Sequence, residues 1–419
     1  MRLRVFVLML VFIVGALGTV SANNTGEYEN RTRIVVISDL HMGADRSFAE
    51  LNKNKDLLRN FLLQLKNSKD VAELVIAGDL LDQWFLPMNY KMPKSLSTFN
   101  DKVVKNNQEI VDGINAIIKE GNIRVTYVPG NHDILFNATE VDRIFPGIGQ
   151  ARDTAGLGTY NPKSNIAIEH GHRYNFFCAP DPLSNANLTN GKSILPNGYF
   201  FTRIATSSVV EGKPKSNNAF PEITPAGFDV TQMNYYYYYS VWKDILSTLP
   251  VSEKFSDKVI KTNIDGFTRT YSVDDLLPRQ GKDGKLYVNL YSGIVENWPN
   301  RQTLNYVPVP IDVREAIKGA PVDAFTDQQA QTQYFDRDGS IRVVVFGHTH
   351  EAKIIVSKNV KGNDVIYANS GTWIDHEANA PTRTYVVVER KGSDTTVGLY
   401  QYNEDGSSTL LKDAQLVED

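Results

Sequence analysis

Short apolar runs separated by amphipathic segments dominate the first 170 residues of the chain. Residues 47–66 and 99–120 carry apolar residues at helical spacing, and Gly121 predicts the end of the second helix. Strands that alternate with helices predict βαβ units and a sheet covered by helices. The predicted strands, which are short and rich in Val and Ile, are RIVVIS, ELVIAG, IRVTYV and NIAIEH.

The pattern changes twice in the rest of the chain. Between residues 181 and 339 the alternation is lost, and this part contains a predicted aromatic helix, MNYYYYYSVWKDILSTL, and a predicted hairpin, GKDGKLYV. From residue 340 onwards, Gly-, Asn- and Asp-bearing turns join short strands that we expect to form an antiparallel run. These strands are IRVVVFGHTH, AKIIVS, NDVIYANSG, TRTYVVVER and TVGLYQYN.

The 419 residues therefore divide into four predicted parts. Residues 1–22 combine a basic start, a continuous apolar run and the small-residue pattern VSA, which predicts a signal peptide and a secreted or periplasmic protein. An uncleaved membrane anchor is the alternative, because the run approaches the length that spans a bilayer. Residues 23–180 and 340–419 would form one domain, and residues 181–339 an insertion or subdomain.

Composition and charge narrow the classes of function. Hydrophobic residues make up 42% and charged residues 22%, as in ordinary globular proteins, and the net charge of −4 gives no bulk attraction to nucleic acid. The single cysteine, Cys178, lies among apolar residues, which favours a packed thiol over a catalytic one. The run Tyr235–Tyr239 would point to all sides of a helix, so packing is favoured over a stacking platform.

Histidine and aspartate are concentrated where the predicted strands end. Six of the seven histidines lie in the segments SDLH, PGNHD, IEHGH and FGHTH, and AGDLLD adds two aspartates. In open α/β sheets, ligands bind at the carboxyl ends of the strands. Carboxylates, imidazoles and one amide without a thiolate favour Mn, Fe or Zn, with Mg as a further option. Their number suits two neighbouring divalent ions that share one carboxylate.

The blocks DLH, GDLLD, GNHD, HGH and GHTH occur in this order between residues 39 and 350. They resemble the signature blocks of the calcineurin-like metallophosphoesterase superfamily. The resemblance implies an α/β fold in which a two-sheet sandwich is flanked by helices as a four-layer structure, with a large insertion before the last metal-binding motif. It also implies two metal sites, with Asp39, His41 and His350 at the first, Asn131, His170 and His348 at the second, and Asp79 as the bridge.

The same resemblance implies how a phosphate ester would be hydrolysed. His132 would be the general acid that protonates the leaving alcohol, and Asp82 would orient it. A metal-activated hydroxide would attack phosphorus in line with the leaving oxygen. His172 is a candidate for phosphate contact or ligand support, and Asp133 for hydrogen bonding within its own loop. For Asn369, Trp373 and His376, a place at the site and simple packing are equally compatible with the sequence.

The substrate class is left open by the residues. Relatives of the family act on phosphomonoesters, phosphodiesters and pyrophosphate-linked nucleotide-sugars or lipids, so we expect a phosphorylated small-molecule or lipid-linked substrate and no nucleic acid. A non-catalytic metal-bound envelope module is disfavoured because none of the expected residues is missing. A single structural zinc is disfavoured by the surplus of ligands. The oligomeric state is also left open.

Overall fold

The computed structural model describes residues 31–189, 195–216, 218–225, 229–262 and 269–417. The predicted signal peptide, residues 1–22, lies outside these ranges. Among the helices within them, none combines the length and apolar character that a bilayer crossing needs. The division of the chain at residues 180 and 340 stays a prediction.

Strands and helices alternate along the first half of the described chain. The strands are, in chain order, β1 (Arg33–Ile37), β2 (Val71–Ala77), β3 (Arg124–Val128), β4 (Gly149–Gln150), β5 (Ile166–Ile168), β6 (Ile260–Lys261), β7 (Thr270–Tyr271), β8 (Arg279–Gln280), β9 (Leu286–Tyr287), β10 (Val343–Phe346), β11 (Lys353–Lys358), β12 (Asp364–Asn369), β13 (Thr384–Lys391), β14 (Asp394–Tyr402) and β15 (Ser408–Leu416).

The helices follow the same chain order. They are α1 (Lys55–Lys66), α2 (Leu96–Asn106), α3 (Gln108–Glu120), α4 (Ala138–Ile144), α5 (Ala186–Thr189), α6 (Gly198–Val210), α7 (Val230–Thr248), α8 (Trp298–Leu304), α9 (Val313–Gly319) and α10 (Asp323–Ala330). Two 3-10 turns, His172–Tyr174 and Val273–Asp275, and a π-helical segment, Gln331–Phe335, complete the helical elements of the described ranges.

Two sheets face each other at the centre of the fold. The larger has the strand order β15-β14-β13-β1-β2-β3-β4, and the smaller has the order β11-β12-β10-β5. Strands β1 to β4 run parallel to one another, and β13 pairs antiparallel with β1. Residues from the facing surfaces of both sheets, such as Val36 and Val75 from one and Ile168 and Val345 from the other, share one buried apolar cluster.

The outer face of each sheet is also covered. On the larger sheet, apolar residues of α1 and α3 such as Phe61 and Ile114 pack against strand residues such as Leu74. On the smaller sheet, Val344 and Phe346 belong to a cluster formed mainly by residues from the region 181–339. The predicted two-sheet α/β sandwich flanked by helices is therefore confirmed.

Two helix boundaries differ from the sequence-based expectation. Helix α1 begins at Lys55, because residues 47–54 form turns and bends and Asp375 Oδ1 accepts hydrogen bonds from the backbone N–H groups of residues 52–54. The predicted helix 99–120 is two helices, which are separated at Asn107 with φ −130° and ψ 31°. Gly121 ends the second of them with φ 74°, as expected.

The predicted antiparallel run after residue 340 is wrong in part. Strands β10 and β12 pair in parallel, and only β11 is antiparallel to β12. Strand β13 leaves this sheet and pairs with β1 in the other one, and β15 adds an edge strand beyond the last predicted strand. The alternation of apolar residues shows which face of a strand is buried, but it does not specify the neighbouring strand.

The aromatic helix and the hairpin of the region 181–339 are both present. The hairpin consists of β8 and β9, which pair antiparallel. In α7, the rings of Tyr235, Tyr238 and Tyr239 are at most 5% exposed, so they pack as predicted. Tyr237 is partly buried against the same apolar cluster, and Lys318 Nζ lies 4.2 Å from its ring centroid.

Candidate metal centre

The predicted site residues follow the carboxyl ends of five strands. Strands β1, β2 and β3 of the larger sheet and β5 and β10 of the smaller sheet end at the same rim of the sandwich. The apolar pattern alone predicted a sheet covered by helices, whereas the family resemblance implied two sheets, and the site lies where these two sheets meet. The loops carry Asp39 and His41 after β1, Asp79 and Asp82 after β2, Asn131 and His132 after β3, His170 after β5, and His348 and His350 after β10.

Two groups of side chains offer ligand atoms close to one another. The first group is Asp39, His41 and His350, and within it one ligand atom of each residue lies within 4.8 Å of the others. The second group is Asp79, His170 and His348, in which the ligand atoms also lie within 4.8 Å of one another. These groups contain six of the seven predicted metal ligands, and the seventh is next to the second group.

Asp79 lies between these two groups, and Asn131 lies beside the second of them. Asn131 Oδ1 lies 3.0 Å from His170 Nε2, which places the amide beside the second group. Asp79 Oδ2 lies 3.2 Å from His170 Nε2 and 3.7 Å from His41 Nε2. Asp79 therefore stands between the two groups, where a bridging carboxylate would have to lie. The ligand roles themselves stay predictions.

A third group joins the predicted acid to the first group. Asp82 Oδ1 is 2.9 Å from His132 Nδ1, and Asp82 Oδ2 is 3.2 Å from His41 Nδ1. The backbone N–H groups of Trp84 and Phe85 donate to Asp82 Oδ1 at 2.8 and 2.7 Å, which fixes the carboxylate. Asp82 is thus placed to orient two imidazoles, and the sequence analysis assigned it only one.

Two further carboxylates were missed by the sequence analysis. Glu377 Oε2 lies 3.4 Å from His350 Nδ1, and Glu50 Oε2 lies 3.6 Å from His41 Nδ1. A carboxylate at Nδ1 fixes the ring orientation and leaves Nε2 for a metal. Neither glutamate follows a predicted strand, so no local signal in the sequence points to them.

The donor set fits divalent cations. His41 Nε2 and His350 Nε2 face each other at 3.1 Å, with Asp39 Oδ1 3.3 Å from the latter. Asp39, Asp79 and Asp82 are at most 1% exposed, and within the described ranges their ion pairs are with histidines only. Buried carboxylates need compensating positive charge, which a dication at these oxygen and nitrogen atoms would provide.

The backbone is strained at the same residues. Asp39, His41, Asp79, His348 and His350 have φ between 46° and 72°, the left-handed region that favours glycine. Such conformations cost on the order of 1 kcal/mol or more each and persist only where the surrounding structure enforces them. Five of the seven predicted metal ligands share this feature, and strain that clusters in this way is typical of functional sites.

Two glycines make room for the carboxylates. A Cβ atom on Gly130 would lie 2.1 Å from Asp79 Oδ1, and one on Gly347 would lie 2.6 Å from Asp39 Oδ2. Both glycines belong to the motif blocks GNHD and GHTH. Their role is therefore to let one loop approach the carboxylate of another.

The carboxylates shift the pKa values of the neighbouring imidazoles. Burial alone would lower the pKa of His170, but Asp79 and Asp39 raise it to about 9. Burial would also lower the pKa of His350, but Asp39 raises it to about 10. Burial together with His170 lowers the pKa of His348 to about 3. His170 and His350 must therefore lose protons before they can bind a cation at neutral pH.

The remaining candidates have different surroundings. Asp133 accepts hydrogen bonds from the backbone N–H groups of Leu80 and Gly130, at 2.9 and 2.7 Å, as expected for loop support. His172 is buried, and the centroid of its ring lies 5.3 Å from that of His170. Its ring nitrogens have no hydrogen-bond partner among the described residues. Burial raises the pKa of the Cys178 thiol to about 12, which agrees with a packed thiol.

Asn369, at the end of β12, and Trp373, which follows it, support the site from outside. Asn369 Nδ2 donates to the Gly347 carbonyl at 2.7 Å and to Thr349 Oγ1 at 3.0 Å, which braces the loop of His348 and His350. Trp373 is fully buried and packs against Phe61, with ring centroids 4.9 Å apart. Trp373 therefore packs in the core, and Asn369 supports the loop that carries His348 and His350.

The family model of the calcineurin-like phosphoesterases matches residues 32–208. This segment contains four of the five motif blocks, and the fifth, GHTH, meets them in the folded structure. The resemblance deduced from the motifs is confirmed over residues 32–208, and this match supports a hydrolase that acts on phosphoester bonds.

Several solved structures show a distant likeness to this chain. Vacuolar Protein Sorting 29 from Cryptosporidium parvum is 12% identical, with a TM-score of 0.32 over 92% of this chain and 98% of that chain. A predicted phosphoesterase from Streptococcus pneumoniae is 12% identical, with a TM-score of 0.29 over 92% and 97%. The nuclease MPE from Pseudomonas putida is 17% identical, with a TM-score of 0.21 over 36% and 56%. These low TM-scores support no inference about this chain. The comparison with curated proteins gave no match.

Substitution of Gly130 tests the close approach at Asp79. In Gly130→Ala, the new Cβ would collide with Asp79 Oδ1, so we expect the affinity for Mn²⁺ to fall by about 10- to 100-fold. Titration with Mn²⁺ measures it. Gly113→Ala is the control, because the nearest atom is Leu62 Cδ1 at 3.2 Å in a helix outside the site. A wild-type Mn²⁺ affinity in Gly130→Ala would contradict this account.

The raised pKa values of His170 and His350 predict how the stability of the metal-free protein depends on pH. The contribution of both groups is fully present below the unfolded pKa of about 6.5 and is lost as the pH rises through about 9 and 10. The free energy of unfolding should fall by at most about 1.4 kcal/mol per pH unit for each group.

Denaturation with urea in the presence of a chelator, between pH 6.5 and 10, measures this loss. His170→Gln and His350→Gln should each reduce its slope, because each removes one of the two titrating imidazoles. An identical slope in the wild type and in both variants would be incompatible with these assignments.

Proposed function

We propose that this protein is a secreted phosphoester hydrolase with a dinuclear metal centre. The observation that carries the proposal is the position of Asp79, whose Oδ2 lies within 3.7 Å of imidazole nitrogens from both ligand groups. One carboxylate between two histidine-rich groups favours two ions over one structural zinc.

The ligands divide between the two ions as the motifs imply. The metals would be Mn, Fe or Zn, with Mg as a further option, since no thiolate is present in the groups. When bound, such ions lower the pKa of water and neutralise phosphoryl oxygens. The first ion would have Asp39, His41 and His350 as ligands, the second Asn131, His170 and His348, and Asp79 would contact both.

His132 would donate a proton to the leaving oxygen. Its Nδ1 is 2.9 Å from Asp82 Oδ1, which leaves Nε2 to donate. Its backbone N–H donates to Asp79 Oδ1 at 2.8 Å, and its ring stacks on Trp84 with centroids 4.7 Å apart. The side chain is 13% exposed, whereas Asp82 is buried. The imidazole is thus held by Asp82 and Trp84, and part of the side chain is open to solvent.

The His132→Ala variant should keep the metals and lose rate mainly on poor leaving groups. General acid catalysis typically contributes about 10²- to 10⁴-fold, and an aryl oxide needs it least. Steady-state kinetics on p-nitrophenyl phosphate and on alkyl phosphates, with metal content measured in parallel, make the comparison. An equal loss on both kinds of ester would count against an acid role.

Metal removal and activity test the function itself. We expect the chain to bind two divalent ions, to hydrolyse at least one of a panel of phosphomonoesters, phosphodiesters and nucleotide-sugars, and to lose this activity on chelation. Mn, Zn, Fe and Mg should be compared in restoring it. Asp79→Asn should bind less metal and show no turnover. Two bound metals without turnover on any ester would favour a non-catalytic envelope binding module.

Residues 1–22 are the basis for proposing that the protein is secreted. A basic start, an apolar run and a small-residue site before Asn23 are the features that support export. N-terminal sequencing of the protein from the periplasm or the medium should begin at Asn23. A protein that keeps Met1 and sediments with membranes would instead be anchored by this segment.

A further inference from the structure

A cavity of about 480 Å³ opens beside the metal centre. Asn131, His132 and His348 form the wall next to the ligands. Its volume is in the range of sites that enclose a small organic ligand. The cavity is therefore large enough for a substrate portion well beyond the phosphoryl group.

The wall next to His132 is aromatic and firmly packed. Trp84 stacks on His132 at an interplanar angle of 25°, and Phe177 stacks on Phe201 at 22°. A Cβ atom on Gly198 would lie 2.7 Å from the Phe177 carbonyl oxygen and 3.3 Å from Trp84 Cζ3. Helix α6 thus contacts this wall through its backbone, which fixes Phe201 in the cavity.

Another part of the cavity wall is acidic. Asp323, Glu351 and Glu377 line it, and the described lining residues include no lysine or arginine. Glu351 is paired with Lys353 at 2.6 Å, and Glu377 faces His350 at 3.4 Å. Apart from the histidines of the candidate metal centre, the described lining residues offer no cationic side chain to a second anionic group of a ligand, and these carboxylates would disfavour it.

We infer that this cavity binds the alcohol portion of the phosphoester and selects alcohols that are apolar and carry no negative charge. The inference rests on the proposed function. If His132 protonates the leaving oxygen, the alcohol begins beside His132, whose ring stacks on Trp84, and extends into the cavity that both residues line. Aromatic surface then faces the alcohol, and the acidic wall discriminates against polyphosphates and carboxylates.

Four esters of primary alcohols test this selection in the wild-type protein. Ethyl phosphate, hexyl phosphate, a hexyl phosphate with a terminal carboxylate and one with a terminal trimethylammonium group have leaving groups of similar reactivity. Burial of a methylene group is worth about fourfold in binding, so kcat/KM should be at least about tenfold higher for hexyl than for ethyl phosphate. The terminal carboxylate should lower kcat/KM at least about tenfold relative to hexyl phosphate, and the ammonium group should not. Equal values for ethyl and hexyl phosphate, or a preference for the carboxylate, would overturn the inference.

Two variants of α6 locate the selection in this cavity. Phe201→Ala should lower the hexyl-to-ethyl ratio of kcat/KM, and Thr202→Lys should favour the carboxylate-bearing ester relative to the wild type, since both residues line the cavity. Val209→Ala is the control, because Val209 is on the same helix and 54% exposed outside the cavity. Metal content and circular dichroism verify folding, and if Phe201→Ala does not fold, Thr202→Lys decides alone. Wild-type ratios in the folded variants would place the selection elsewhere.

The outcomes separate this inference from the proposed function. No turnover by the metal-loaded protein of these four esters or of the panel of phosphomonoesters, phosphodiesters and nucleotide-sugars refutes the proposed function and the inference with it. Turnover of the panel without turnover of any of the four esters refutes only the inference. Turnover of all four esters at equal kcat/KM leaves the proposed function standing and refutes only the selection.

Apolar alcohols occur in soluble esters and in lipids, so a further experiment uses vesicles of phosphatidylcholine that contain dioleoyl phosphatidate. Turnover there assigns the substrate to a lipid, and turnover restricted to dissolved esters assigns it to a small molecule. Both results support an apolar alcohol.

Discussion

The burial of Asp39, Asp79 and Asp82 side by side is the constraint on which the rest of the structure depends. Each is at most 1% exposed, and like charges at such burial destabilise a fold unless positive charge lies beside them. In the protein itself that charge comes from imidazoles, and the pKa values of His170 and His350 rise accordingly. Divalent ions would provide this positive charge instead. The cluster of buried carboxylates that destabilises the metal-free protein would therefore favour metal binding.

The sandwich is built to hold this arrangement in place. The strands that lead to the site are buried on both faces, as at Val36 and Ile37, so their ends have little freedom to move. The loops then adopt left-handed backbone conformations at several ligand positions, and close approach at Gly130 and Gly347 locks neighbouring loops together. Packing energy in the two sheets therefore compensates for strain at the rim.

The proposed chemistry and the proposed selection of substrate involve different parts of the chain. The candidate ligands and the candidate acid lie on loops of the sandwich, whereas Phe201 and Ile245 of the cavity come from α6 and α7. Variation in these helices would leave the metal centre intact and change only the alcohol that fits beside it. A common scaffold with a variable wall is a general way for one fold to serve many substrates.

The sequence alone determined the strands that lead to the site, the residues that gather there and the class of chemistry, because these depend on local apolar patterns and short motif blocks. It did not determine that β10 pairs in parallel with β12, that both sheets contribute residues to the site, or that Glu50 and Glu377 contact candidate ligand histidines. Nor could it place the start of α1 at Lys55, which depends on Asp375 more than 300 residues away. These features arise from contacts between segments far apart in the chain, and they are decided only when the buried faces of the sheets and helices pack together.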